Sequence, residues 1–225
     1  MRCPVKCVKF KLKTKLFPVN NSAIFACNFL PDFFTMKAFF QQFGLLTAAE
    51  LNQVDHFLTK RLLKKGEFLI QEGKICDEVV FVKSGILRSF YYSDKAEEIT
   101  YCLTFPDNVM TAFSSLITGN PTEESIQALT DVEVIVIKKQ SLEKLYQSGN
   151  GWLKLGKHLT ELQYIGLENR IFGYQKYSAK KRYEELLNNQ AEFIQKIPVQ
   201  YLASYLNITP RHLSRLRKEI IQKAF

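Results

Sequence analysis

Between residues 64 and 139 the chain consists of short segments rich in β-branched and aromatic residues, separated by turn residues. The turn signals are Gly66, Gly73, Gly85 and the Pro-Asp-Asn at 106–108. Many short strands at a spacing of about ten residues are typical of a small β-barrel or jelly roll. The predicted strands are Phe68–Ile70, Val79–Lys83, Ile86–Tyr92, Ile99–Phe105 and Glu133–Ile137.

Helical patterns flank this β-rich region on both sides. Apolar residues recur at helical spacing over 37–61, and Thr47 followed by Glu50 predicts a capping box within that segment. After a short capped turn that begins at Ser141, a long helix is predicted over Trp152–Gln175.

The long helix has apolar and small residues three and four positions apart, as in the contact face of a coiled coil. Gly and Asn at successive inner positions favour a partner helix that approaches closely, so we expect a parallel homodimer. A helix buried within one chain is the alternative. The predicted dimer contacts are Trp152, Leu155, Leu159, Leu162, Gly166 and Asn169.

Residues 197–220 have the pattern of a helix-turn-helix. Asn207 follows the first short helix and tolerates the left-handed conformation at which a helix ends. Thr209 is then the predicted N-cap and Pro210 the first residue of the second helix. Ala203 is small, which lets the two helices cross closely.

The outward face of the second helix is strongly basic. Residues 170–225 carry 11 Lys/Arg and four Asp/Glu, whereas residues 36–169 carry 14 and 17. This excess of positive charge predicts a polyanionic partner. The alternative is a helical hairpin whose basic face is simply solvated. Arg211 and Arg215 are predicted to contact base edges, because Arg binds guanine O6 and N7 in a bidentate way. Further predicted DNA contacts are His212, Ser214, Arg217 and Lys218, with Gln200 and Tyr201 at the DNA backbone.

From Met36 onward the chain resembles the cyclic-AMP receptor protein/fumarate-nitrate regulator (Crp/Fnr) family. The resemblance lies in L-L-K-K-G-E-F-L-I-Q-E-G-K at 62–74, V-V-F-V-K-S-G-I-L-R-S-F at 79–90, the long helix, and Y-L-A-S-Y-L-N-I-T-P-R-H-L-S-R-L-R at 201–217. Arg215 matches a nearly constant Arg of the family's recognition helix. Arg211 stands where many members carry a base-reading Glu, which implies a different operator.

The resemblance implies an α+β fold with an N-terminal double-stranded β-helix (jelly roll), a long dimerisation helix and a C-terminal winged helix-turn-helix. It divides the chain into an extension at 1–35, a cyclic-nucleotide-binding-like β-roll effector domain at 36–148, a dimerisation helix at 149–176 and a helix-turn-helix DNA-binding domain at 177–225. The implied function is that of a homodimeric, sequence-specific transcription regulator. The implied partners are double-stranded DNA and a second copy of the chain, with RNA polymerase left open.

The effector position of the β-roll departs from the family's pattern. Cyclic-nucleotide-binding members hold the ribose with Gly-Glu and the cyclic phosphate with Arg-Ser or Arg-Thr. Thr111-Ala112 and Glu124-Ser125 stand at these places, and Glu repels a phosphate. We therefore expect no cyclic AMP binding in the family's manner, and an unknown small-molecule effector stays open. The candidate pocket residues are Thr111, Ala112, Phe113, Glu124 and Ser125.

Other classes of function have little support in the sequence. The β-rich region has no His, and no phosphate loop, nucleophile elbow or H-E-x-x-H occurs, so we do not expect an enzyme. No metal or cofactor is predicted. An iron–sulfur cluster needs four spaced Cys, and only Cys76 and Cys102 follow Met36. For haem, His158 is the single candidate ligand. A β-roll that acts on a protein partner without DNA is the alternative function.

Residues 1–35 alternate Lys with apolar residues up to Leu16. Our interpretation is that Met36 is the biological start of the protein. There are two alternatives for residues 1–35: an accessory extension, or a metal or redox site formed by Cys3, Cys7 and Cys27. No run of 18 apolar residues occurs, so no membrane span is expected. Five Cys without a repeated C-x-x-C spacing predict a reducing, cytoplasmic location.

Overall fold

The computed structural model describes residues 32–223, which form eight α-helices, one short 3₁₀ helix and eight β-strands. The helices are α1 (Asp32–Gln41), α2 (Ala48–Gln53), α3 (Phe113–Thr118), α4 (Lys139–Ser148), α5 (Asn150–Lys176), α6 (Ala179–Ile194), α7 (Val199–Tyr205) and α8 (Pro210–Lys223). The strands are β1 (Leu58–Leu63), β2 (Phe68–Ile70), β3 (Glu78–Ser84), β4 (Leu87–Tyr92), β5 (Glu98–Thr104), β6 (Asn108–Met110), β7 (Ser125–Ala128) and β8 (Val132–Lys138). The three cysteines at positions 3, 7 and 27, and most of the predicted extension, lie outside the described residues.

The strands form two antiparallel four-stranded sheets, in the orders β1-β8-β3-β6 and β2-β7-β4-β5. Apolar side chains of both sheets meet in one cluster, in which Val82 and Val134 of the first sheet and Leu87 and Ile126 of the second are fully buried. This two-sheet arrangement followed by a long helix and a helical C-terminal unit confirms the predicted α+β fold with a jelly roll.

The N-terminal helical prediction was correct at its cap and wrong at its end. Glu50 N–H donates to Thr47 Oγ1 at 3.2 Å and Thr47 N–H donates to Glu50 Oε2 at 2.8 Å, which is the predicted capping box. The helix was expected to reach residue 61, but helical structure ends at Phe57 because residues 58–63 pair with β8 as strand β1. Strands β6 and β7 were also missed, since each has only three or four residues.

The turn between β3 and β4 requires glycine. Gly85 has φ +87°, and a Cβ at this position would lie 2.3 Å from the carbonyl oxygen of Asp131. The turn at Gly85 therefore lies so close to the loop before β8 that position 85 has no room for a Cβ atom.

Helix α5 is longer than predicted, and its N-terminal half belongs to the core of the chain. Trp152 and Leu155 are 2% exposed and pack with Met36 and Phe40 of α1, while Leu159 packs against the same cluster. Trp152 and Leu155, two of the predicted dimer contacts, are therefore covered within the chain, whereas Leu159 is half-buried. The alternative of a helix buried within one chain is correct for this half of α5.

The C-terminal unit consists of α6, α7 and α8. Helix α6 contains a kink at Gln190, where φ is −142°. Residues 177–223, as far as the structure describes this unit, are helical or in turns, so the two strands of a wing are not among them. In the described part of the chain, no helix is both long enough and apolar enough to cross a membrane.

Helix α7 of the C-terminal unit packs directly on β5 of the roll. A single apolar cluster joins roll residues of β5 and the loops beside β4, β5 and β7 to residues of α6, α7 and α8. Its fully or almost fully buried members include Ile86, Leu129, Ile194, Leu202, Ala203, Leu206 and Leu213. The roll and the helix-turn-helix therefore share a core in this arrangement.

We predict that Gly85→Ala lowers the free energy of unfolding by about 1–3 kcal/mol, because alanine cannot adopt this φ without strain and its Cβ meets backbone. Chemical denaturation monitored by circular dichroism measures the effect. Gly73→Ala is the matched control, since Gly73 has φ +80° but open space around it. Equal losses in the two variants would contradict the role of the close approach at Gly85.

Candidate functional site

Helices α7 and α8 are joined by a turn whose backbone bonds are fixed by a few residues. Asn207 has φ +53°, the left-handed conformation expected at this position. Ile208 N–H donates to the carbonyl oxygen of Ala203 at 3.0 Å, which closes the end of α7. His212 N–H donates to Thr209 Oγ1 at 3.2 Å, so Thr209 is the N-cap of α8 as predicted.

Helix α8 separates apolar and basic residues onto opposite faces. Leu213 and Leu216 are buried against the C-terminal unit, whereas Arg211, Arg215 and Lys218 are exposed. Arg215 Nε lies 3.8 Å from Glu219 Oε1, and its side chain is 70% exposed. A surface pair this open contributes little, so the guanidinium is available to a polyanion.

Two predicted DNA contacts are engaged inside the chain instead. Arg217 Nε donates to the Tyr183 hydroxyl at 3.2 Å, and the Arg217 side chain is half-buried between α8 and α6. Tyr201 lies at the start of α7 with its ring against the guanidinium of Arg88, 3.7 Å from the ring centroid. Neither side chain is free to meet DNA in this arrangement.

The other predicted residues of this face remain on the surface or close to it. Gln200 is exposed at the first turn of α7. Ser214 is exposed, and its hydroxyl donates to the carbonyl oxygen of Pro210 at 3.0 Å. His212 is half-buried beside these residues.

Arg88 on β4 is the residue that sequence reasoning missed. Its side chain is fully buried, and its guanidinium lies between the rings of Phe90, at 4.1 Å, and Tyr201. Nε donates to Thr100 Oγ1 and a terminal nitrogen donates to Glu98 Oε2, both at 2.7 Å. Beside it, Thr100 N–H donates to Ser204 Oγ at 2.9 Å. These contacts join the roll to α7 through a charged group. The contact could not be predicted, because the sequence shows Arg88 only as one Arg within a strand.

The five predicted effector residues divide into buried and accessible ones. Ala112 and Ser125 are buried, and Ser125 Oγ accepts from Glu72 N–H at 3.0 Å. The Thr111 hydroxyl donates to the carbonyl oxygen of Glu78 at 2.8 Å. Only Phe113 and Glu124, together with Thr111, line the adjacent cavity.

This cavity has a volume of about 940 Å³ and lies between the roll, α5 and the C-terminal unit. The roll contributes Tyr101, Cys102, Met110, Thr111, Phe113, Ser114 and Glu124. Helix α5 contributes residues from Thr160 to Lys176, among them Gly166 and Asn169 of the predicted dimer seam. The C-terminal unit contributes Arg182, Glu185, Leu186, Asn189, Tyr205 and Leu206. The volume is in the range of small-molecule sites.

Glu124 is already held by a hydrogen bond within the cavity. The Tyr101 hydroxyl donates to the Glu124 carboxylate. Burial raises the pKa of Glu124, an effect that the bond from Tyr101 opposes. Burial and the neighbouring Glu124 carboxylate raise the pKa of Tyr101, so its hydroxyl keeps its proton and remains a donor.

Within the described residues, the candidate ligands Cys76, Cys102 and His158 do not form a metal-binding group. His158 packs its ring against Phe43, with the ring centroids 5.3 Å apart. Cys76 is buried and Cys102 is half-buried, and both are free thiols. Among residues 32–223, no group of three or more His, Cys, Asp or Glu could hold a metal ion.

Comparisons with known proteins agree with this organisation. A model of the cyclic nucleotide-binding domain matches residues 60–148. The transcriptional activator protein Anr of Pseudomonas protegens is 33% identical over 104 residues, which are 44% of this chain and 41% of Anr, so the chain matches less than half of that relative's length.

Two solved structures share the fold. FixK2 from Bradyrhizobium japonicum has a TM-score of 0.65 at 18% identity, over 74% of this chain and 86% of FixK2. A Crp/Fnr-family protein from Eubacterium rectale has a TM-score of 0.63 at 20% identity, over 83% of this chain and 88% of that one. Residues 60–148 are thus similar to a cyclic nucleotide-binding domain, and the chain shares its fold with these two solved structures.

Proposed function

We propose that the chain is a homodimeric, sequence-specific DNA-binding transcription regulator whose β-roll senses a ligand other than cyclic AMP. The observation that carries the proposal is the α7–turn–α8 unit, with an exposed basic face on α8 and a buried apolar face behind it. In a helix-turn-helix the N-terminal part of the second helix contacts base edges. Arg211 and Arg215 lie in this part of α8, and both are exposed.

DNA contacts divide by position on the helix. Arg211 and Arg215 are assigned to base edges, where a bidentate Arg recognises guanine. Lys218, Ser214 and Gln200 are assigned to phosphates, which fix the register of the protein without reading sequence. Arg217 and Tyr201 are left out of this set, because both are held within the chain.

The second copy is proposed to bind at the C-terminal half of α5. The exposed apolar side chains of this half that lie outside the cavity lining are Leu162, Ile165 and Ile171, between 44% and 56% exposed. A patch of this kind on a helix marks an interaction site. Two recognition helices about 34–36 Å apart would then meet successive major grooves of a near-palindromic site.

The proposal excludes binding of cyclic AMP in the family's manner, because the roll lacks the family's phosphate clamp. Thr111 and Ser125 use their hydroxyls within the roll, and Glu124 offers the phosphate either a negative charge or a neutral acid. Neither form attracts an anion. We expect isothermal titration calorimetry with cyclic AMP to show no saturable binding up to millimolar nucleotide, whereas micromolar binding would contradict this part of the proposal.

Ligand and DNA binding are proposed to be coupled through the interface at α7. The cavity is lined by residues of the roll, of α5 and of α6–α7, so an occupant contacts all three. A ligand that prefers one position of the helix-turn-helix shifts the population of dimers toward or away from DNA binding. The second candidate function, a roll that acts on a protein partner alone, leaves the basic face of α8 without a role.

We predict that a random-pool DNA selection with the full chain enriches a two-fold-symmetric sequence. Arg215→Ala should cost about 1–3 kcal/mol and relax one position of each half-site, because a bidentate base contact is lost. Lys218→Ala is the matched control, and it should weaken all sequences about equally. An Arg215→Ala consensus identical to that of the original chain would remove Arg215 from the base-reading set. No enrichment for any sequence, with or without cell extract, would favour the protein-partner function.

We also predict that Ile165→Asp combined with Ile171→Asp converts a dimer into a monomer, because two carboxylates would be buried at the helix contact. Light scattering coupled to size exclusion should show the mass fall to that of one chain, 26.1 kDa. Leu62→Asp is the matched control, since Leu62 is an equally exposed leucine on β1, at 65%. An unchanged mass in the double variant would place the dimer contact elsewhere.

A further inference from the structure

The cavity between the roll, α5 and the C-terminal unit contains an arginine that no carboxylate neutralises. Arg170 of α5 is half-buried in this cavity and, among residues 32–223, forms no ion pair. The other buried arginine of this region, Arg88, is paired with Glu98. A half-buried cation without a counter-ion is costly, so an anion that enters the cavity gains a partner.

The surroundings of Arg170 are aromatic instead of acidic. Its guanidinium lies 4.8 Å from the ring centroid of Tyr205 and 6.0 Å from that of Tyr101. The Tyr205 hydroxyl and the Cys102 thiol are its neighbouring polar groups. The rings hold the guanidinium by cation–π contact, and its N–H groups meet the uncharged Tyr205 hydroxyl and Cys102 thiol, which a planar anion can replace as acceptors.

The two carboxylates of the cavity do not compete for Arg170. Glu124 accepts a hydrogen bond from Tyr101, and Glu185 is exposed. The second arginine of the lining, Arg182, donates to the backbone carbonyl of Leu206 at 2.8 Å and also to that of Tyr177. The third cation of the lining, Lys176, is exposed and lies over the ring of Phe172. Arg170 is therefore the half-buried cation of the lining for which the described part of the chain shows neither a carboxylate nor a backbone carbonyl partner.

The rest of the lining is suited to a flat apolar body. Phe113 and Tyr164 are exposed and line the cavity. Leu167 lies on α5 between Tyr164 and Arg170, and it lines the cavity as well. A ligand with one or two rings fits a volume of about 940 Å³ with room for water. We infer that this cavity binds a small aromatic anion, with the carboxylate or sulfonate on Arg170 and the rings among the aromatic side chains.

This inference rests on the proposed sensing role of the roll and names the chemical class of its ligand. The site proposed here differs from the family's nucleotide clamp in the element that supplies the positive charge, because Arg170 lies on the long helix and not in the roll. The ligand would thus join α5 to Tyr205 of α7, the helix that docks on β5.

A pair of fluorescent probes tests the role of charge at this cavity. The anion 8-anilinonaphthalene-1-sulfonate and the uncharged N-phenyl-1-naphthylamine have the same ring skeleton, and only the first carries a sulfonate. Both are titrated into the full-length chain. We expect one sulfonate probe per chain, and Arg170→Gln should raise its Kd at least tenfold while the Kd of the uncharged probe changes less than twofold.

Two further variants separate local charge from folding and from general electrostatics. Arg170→Lys keeps the charge and should retain most of the sulfonate affinity. Lys95→Gln removes one positive charge at an exposed turn of the roll and should leave both probes unchanged. Retained binding of the uncharged probe reports that the cavity of each variant is intact.

The inference is overturned by any of three results: no saturable sulfonate binding, an unchanged sulfonate Kd in Arg170→Gln, or an equal loss of both probes in that variant. These titrations contain no DNA, and the DNA selection contains no probe. Failure of the ligand assignment and failure of the regulatory function can therefore be told apart.

Discussion

The arrangement of this chain depends on one buried guanidinium. Arg88 is held by Glu98 and Thr100 of its own sheet, and the ring of Tyr201 from α7 closes over it. A cation–π contact of this kind contributes about 0.5–2 kcal/mol, so the position of α7 is tied to that of β4 and β5. The apolar cluster that surrounds this contact gives the interface its strength, and the charge gives it a single register.

How far the sequence predicted this protein can be followed residue by residue. Local chemistry was read correctly at the Thr47–Glu50 capping box, at Asn207 and at Thr209, because each depends on neighbours within a few positions. The end of the first helical region was wrong, because β1 forms by pairing with β8, about 70 residues further along, and periodicity does not show such a partner. The half of α5 that packs in the core was missed for the same reason. Coiled-coil spacing shows which residues share a face and leaves open what covers that face.

The candidate site was predicted in part for comparable reasons. The basic face of α8 follows from composition and helical spacing, so most of its residues lie where expected. The contacts of Tyr201 and Arg217 within the chain were not foreseen, because their partners, Arg88 and Tyr183, belong to elements distant in sequence. The departure from the nucleotide clamp was visible at Glu124, but the Tyr101 hydroxyl that holds this carboxylate and the cation at Arg170 were not. Both come from elements that meet the pocket only when the chain has folded.

The division of α5 into a covered and an uncovered half has a consequence for assembly. The stretch from Leu162 to Phe172 carries most of the exposed apolar side chains of α5, over about 15 Å of helix, or three turns. A two-helix contact of this length buries a small area compared with obligate dimers. If the proposed dimer forms through this stretch, mass action makes the paired fraction depend on how much protein the cell contains. The number of copies per cell would then itself be an input to the proposed regulator, beside any ligand.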